Sequence, residues 1–168
     1  MHSIFTIDFG LSKFYRDSKS QQHCRFQQNR FMTGTARYSS INAILGYEQS
    51  RRDDLESIFY IIIYFIQGSL PWQSIVLDDI KERLSKISEL KLMISSDELC
   101  KGMPVEFKKC LDYWKSLKFE QDPDYGLLKK LINDVIIENK FENDGVYDWS
   151  LVKYVTILIR AHKLGIVI

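Results

Sequence analysis

Apolar and polar positions alternate between two kinds of pattern along the 168 residues. Ile4-Phe5-Thr6-Ile7 is a short β-rich run that ends at Asp8, the pattern of a strand feeding a turn. From Leu11 to Arg30 the chain is polar, aperiodic and rich in Gln, Ser and Arg, which predicts a loop. A loop of that length in a compact domain is usually functional. Asp53-Asp54-Leu55-Glu56 fits a capping box with Asp53 as N-cap and Glu56 three residues on. The helix it opens runs to about Phe65 and is apolar on all sides, which predicts burial all round. Gly68 and Pro71 close it. Three amphipathic stretches follow: Asp78 to Glu89 with Ile80, Leu84 and Ile87 on one face, a helix with Pro104 as its first residue, and one opened by Asp122-Pro123-Asp124. Phe107, Leu111, Trp114 and Leu117 mark the core face of the second. Leu127, Leu128, Leu131, Val135 and Ile136 mark that of the third. The tail from Leu151 to Ile168 is apolar but broken by Lys153, Arg160, His162 and Lys163.

Composition narrows the class. Hydrophobic residues make up 45% and charged residues 27%, ordinary for a single globular domain rather than a disordered chain. A formal net charge of +1 provides no broad field for nucleic acid or an anionic membrane, so charge recognition has to be local. Cys24, Cys100 and Cys110 are odd in number and unpatterned, which argues against a disulfide framework or a zinc site and for an intracellular setting. The scattered His2, His23 and His162 form no metal pattern. The first residues lack the charged and apolar regions of a signal peptide. The apolar helix to Phe65 falls short of the roughly 20 residues a membrane span needs.

The candidate chemistry lies in an ordered series. Asp8-Phe9-Gly10 is followed by Thr33-Gly34-Thr35-Ala36-Arg37-Tyr38, then Ser40-Ile41-Asn42, then Glu48 through Ser57. In that order and spacing, the series resembles the activation segment of a protein kinase. Its wording is similar to the casein kinase 1 family, in which S-I-N stands where other kinases have A-P-E. The resemblance covers roughly residues 4 to 150. It implies a mainly α-helical fold, the C-terminal lobe of a kinase, with a short β element at its start. The activation segment would span about 8–42 and a helical subdomain about 53–140, with 151–168 an unassigned apolar tail. Seven residues precede Asp8, so the Gly-rich loop, the strand lysine and H-R-D-x-x-x-x-N are not among these residues.

The resemblance also implies roles. Asp8 would hold Mg²⁺ against nucleotide phosphates, because a hard cation takes carboxylate oxygen. Thr35 would bond the catalytic aspartate and lysine of a complete kinase. Arg37, with Ser74 and Arg83 at the companion positions, would form an anion site for an acidic or phosphorylated protein substrate, where arginine's planar fork suits phosphate. Asp54 matches the central-helix aspartate that fastens the catalytic loop. Without that partner it is expected to cap its own helix, recruit Arg51 or Arg52, or face water, with capping preferred. Several residues depart from the family: Phe14 for a basic residue, Cys24 to Gln28 for I-P-Y-R-E, Phe59 for glycine, Lys118 for arginine, and Ile75 to Asp79 for a lysine-rich run. ATP and Mg²⁺ are the implied cofactors, neither expected to bind the isolated chain well. Two readings follow. One is a serine/threonine kinase whose N-terminal half lies outside this sequence. The other is a non-catalytic pseudokinase fragment that binds acidic or phosphorylated partners.

Overall fold

The computed structural model describes residues 5–142 and 144–146. It divides into two units, Phe9–Val135 and a second made of Met1–Asp8 with Ile136–Ile168. The tail expected at 151–168 lies outside the described residues, as does Ile4.

Six helices make up the described fold: α1 (Ile41–Ile44), α2 (Arg51–Gln67), α3 (Ile80–Met93), α4 (Ser96–Leu99), α5 (Val105–Ser116) and α6 (Tyr125–Glu138). The fold is mainly α, as the resemblance implies. Phe5–Ile7 form no strand; β pairing among the described residues amounts to an isolated bridge between Arg16 and His23. An extended run becomes a strand only when a neighbour supplies ladder bonds, and the β-rich composition of this one does not bring a partner.

Helix α2 begins three residues earlier than its sequence signal. Ser50 is the N-cap, and the Asp53 carboxylate reaches back to accept the Ser50 N–H at 2.8 Å. Asp53 is therefore the third helical residue of the box rather than its N-cap, and Glu56 is released for another task. Gly68 ends the helix at φ +78°, donating its N–H to the Tyr64 carbonyl at 2.8 Å. That left-handed turn suits glycine. Burial along α2 is one-sided: Leu55, Phe59, Tyr60 and Ile63 are buried, whereas Ile58, Phe65 and Ile66 are exposed. The expectation of burial all round is thus corrected.

The core gathers around α2 and α5. Cys110, Leu111 and Trp114 of α5 share one buried cluster with Tyr60 and Ile63 of α2, with Trp72 packed edge-on against Tyr60 at 4.7 Å between ring centroids. Both buried indoles find acceptors, Trp114 at the Arg52 carbonyl (2.6 Å) and Trp72 at the Arg37 carbonyl (2.7 Å). A buried indole N–H without a partner would be costly. Pro104 is the N-cap of α5 rather than its first residue. Phe107, Leu111, Trp114 and Leu117 are all buried, as their spacing predicts. In α3, which starts after the N-cap Asp79, Ile87 is buried but Ile80 is 62% exposed. In α6, Leu128, Leu131 and Val135 are buried, while Leu127 and Ile136 lie partly in solvent. No helix among the described residues is long and apolar enough to cross a membrane.

Candidate functional site

The segment from Thr33 to Ile44 is built from the backbone outward. The Thr35 carbonyl accepts the N–H groups of Tyr38 (2.9 Å) and Ser39 (3.0 Å) and the Ser39 hydroxyl (3.0 Å). That turn ends at Ser40, whose side chain accepts the Ala43 N–H at 3.1 Å and caps α1. Arg37 sits inside the turn. Its carbonyl takes the Trp72 indole N–H, and its guanidinium lies 5.8 Å from the Tyr38 ring centroid and 5.9 Å from that of Tyr64. Two aromatic faces thus hold the guanidinium by cation–π attraction.

Beneath this turn lie two buried ionisable side chains, Lys91 and Glu56. Lys91, on α3, is 1% exposed and donates to the carbonyls of Ala36 (3.1 Å), Arg37 (3.4 Å) and Ser39 (2.5 Å). Its ammonium also lies 4.4 Å from the Tyr60 ring and 4.7 Å from that of Trp72. Burial pulls its pKa down to about 7, opposed by attraction to Glu56. Glu56, on α2, is 1% exposed and accepts the Tyr60 hydroxyl (2.6 Å) and the Ile41 N–H (3.0 Å). Burial pushes its carboxyl up to about 7 despite those two donors and Lys91.

The start of α2 lines a cleft of about 740 Å³. Lys13, Arg30, Thr33, Gly34, Arg51 and Asp54 stand on its walls. Asp54 is solvent-exposed, and desolvation on its partly covered side, reinforced by Asp53, raises its pKa. It does not cap α2; Asp53 does, while also accepting the Asn42 amide at 2.9 Å. Nor does Asp54 take the nearby arginines. Arg51 pairs with Asp122, and Arg52 donates to the Leu117 carbonyl at 3.3 Å and lies 3.8 Å from Asp53. Across the cleft, Lys13 and Arg30 both pair with Glu48, which is 6% exposed. Backbone bonds reinforce that meeting point: Arg30 N–H to the Gly46 carbonyl (2.8 Å) and Glu48 N–H to the Gln27 carbonyl (2.9 Å).

Of the residues singled out in the sequence, Asp8 has a left-handed backbone (φ +61°) and Phe9 is 67% exposed. Phe9 and Gly10 begin a turn closed by the Ser12 N–H on the Phe9 carbonyl at 3.0 Å. Ser74 ends the exposed turn from Pro71 that carries Trp72, and Arg83 lies half-buried in the first turn of α3, bonded through its backbone to Asp79. Trp72 and Lys91 tie those two elements to the backbone of Arg37. Among the described residues no three His, Cys, Asp or Glu side chains gather as a metal set. A Mg²⁺ ion takes about six oxygens, so these residues do not by themselves fit one. Lys91, Glu48, Lys13 and Arg30 were missed in the sequence. For Lys91 a signal existed: it stands at i+4 from Ile87 and i+7 from Leu84, on the apolar stripe of α3.

Comparison with known proteins gives the family. The model of the fungal protein kinase family matches residues 1–66, which hold D-F-G, the Arg37 turn and most of α2. The fold and this segment are those of part of a protein kinase. Over 148 residues the chain is 49% identical to casein kinase I homolog 2 of Schizosaccharomyces pombe, a match that covers 88% of this chain and 34% of that protein. The chain belongs to the casein kinase 1 family of serine/threonine kinases. It spans about a third of the length of the relative it matches.

Proposed function

We propose that these residues form the substrate-side part of a casein kinase 1-type serine/threonine kinase, in which Arg37 reads an acidic or phosphorylated group on a protein substrate. The observation that carries this reading is the placement of Arg37. Its backbone is fixed by two buried donors and its guanidinium is held against two rings. A planar cation already placed loses less freedom on taking phosphate than a mobile one. Ser74 and Arg83 are its companions, on elements tied to the same turn. The family's reaction is phosphoryl transfer from Mg·ATP. In it Asp8 supplies a metal ligand when phosphates and a second ligand set are present. The cleft walled by Gly34 and Asp54 is the seat we assign to a catalytic loop, since the resemblance gives Thr35 and Asp54 the task of holding one.

These 168 residues contain no strand lysine and no catalytic-loop aspartate in the family's sequence context. By themselves they bind rather than transfer, which is the pseudokinase reading applied to this stretch of chain. Three free thiols, two of them buried and pushed up to about 11 by desolvation, fit an intracellular setting, cytoplasmic or nuclear.

A pair of peptides that differ by one phosphoserine tests the reading. The phosphopeptide is expected to bind more tightly, with a preference that shrinks as salt rises and disappears in Arg37→Ala. Equal binding of the two peptides by the unmutated chain contradicts it.

A further inference from the structure

We propose that Lys91 is a positioning residue for substrate recognition. Its ammonium, working with Glu56, holds the Ala36–Ile41 backbone in the one arrangement that aims Arg37. This rests on Arg37 as the anion reader.

A buried lysine in a helical core is often no more than a satisfied polar group. The distribution of partners separates the two cases here. Lys91 has three donors, and its three acceptors are the carbonyls of Ala36, Arg37 and Ser39, all within four consecutive residues. None belongs to its own helix or to the α2–α5 core. Those carbonyls lie in a turn, where the backbone lacks a regular ladder and needs outside donors. Glu56 completes the arrangement from the other side. The same carboxylate oxygen takes the Ile41 N–H, two residues beyond the lysine's last acceptor, and the Tyr60 hydroxyl. An ammonium and a carboxylate, both buried under the turn, thus grip carbonyls and an N–H along a single stretch of six residues. Trp72 adds a third grip at Arg37 itself and stacks near the ammonium. This stretch contains Arg37, whereas Lys91 and Glu56 lie underneath it and are closed off from solvent. Stripping a charge from water is costly unless the partners are good, and here the cost is met at the one turn that recognition depends on.

The experiment uses the full 168-residue chain at low concentration, with Lys91→Met and Lys91→Arg as variants. Hydrogen exchange followed by mass spectrometry reads the amides of 36–44 against those of α5, and the phosphopeptide preference is measured alongside. In Lys91→Met the turn is expected to exchange at least tenfold faster while α5 is unchanged, and the preference to fall by at least fivefold. Lys91→Arg, which keeps donors, is expected to restore a large part of both. Unchanged exchange in 36–44 for a folded Lys91→Met overturns the proposal. If Lys91→Met does not fold, a folded Lys91→Arg with a protected turn supports the requirement for donors, and failure of both variants assigns Lys91 to packing alone and overturns it. If the unmutated chain does not distinguish the peptides, the Arg37 reading fails and, with it, the role in recognition. Exchange then still decides whether Lys91 holds the turn.

Discussion

At the scale of single residues, charge burial makes the strongest demands. Glu56 holds its proton to about 7 in the folded chain, against 4.5 for an open one, with burial the leading cause and the Tyr60 hydroxyl, the Ile41 N–H and Lys91 opposing it. Between those two pH values the folded state binds more protons than the unfolded state, so this group's contribution to stability falls as pH rises from about 4.5 to about 7. Lys91 runs the other way above that window. Its pKa is lowered to about 7 from 10.5, so the unfolded chain binds more protons there and stability rises with pH. The pair's contribution is therefore smallest near neutrality. Urea unfolding of the wild type and Glu56→Gln across this range reads the effect. The variant is expected to gain on the wild type from pH 5 to pH 7, because the amide keeps an acceptor for Ile41 and Tyr60 without a charge to bury. A stability difference that stays constant over that interval contradicts the assignment.

At the scale of elements, the loop from Lys13 to Arg30 is clipped to the loop before α2 at Gly46 and Glu48. Gly46 has φ +75°, and a Cβ there would stand 2.9 Å from the Arg30 carbonyl oxygen, a contact that backbone cannot relieve cheaply. Gly46→Ala is expected to cost about 1–3 kcal/mol through backbone strain alone. Opening of the clip is expected to speed tryptic cleavage after Arg25 and Arg30. Unchanged cleavage and an unchanged urea midpoint would show that the clip carries no load. The elements differ in how legible they were. The core face of α5 follows directly from Phe107, Leu111, Trp114 and Leu117, because four large apolar residues at helical spacing admit one reading. The start of α2 was shifted by one turn, because Ser50 to Asp53 and Asp53 to Glu56 both have the spacing of a capping box. Geometry chose the first, with Asp53 reaching the Ser50 N–H. Helices α1 and α4, four residues each, are too short to show a period. Lys91 was hidden because a lysine counts as polar in a binary pattern, even on an apolar stripe. Asp54 was misassigned because its neighbour Asp53 took the cap.

At the scale of the whole molecule, the family was legible in the sequence because its motifs are contiguous words: D-F-G, T-G-T-A-R-Y and S-R-R-D-D-L-E-S. The cleft was not, since its walls come from residues 11–15, 29–34 and 47–54, and only folding brings them together. On the function proposed above, these residues supply a substrate-reading turn and one candidate metal ligand. Phosphate-binding and proton-accepting parts of a kinase are not found among them. Asp53 and Asp54 are no replacement for the base: Asp53 is buried as a cap, and the resemblance gives Asp54 the task of fastening the loop that carries the base. Transfer of labelled phosphate from ATP to casein by the purified 168-residue chain, beside its Asp8→Ala variant, tests this most directly. The account predicts no transfer above background by either protein and no ATP-dependent shift in melting temperature. Turnover by the unmutated chain that vanishes in Asp8→Ala would contradict it.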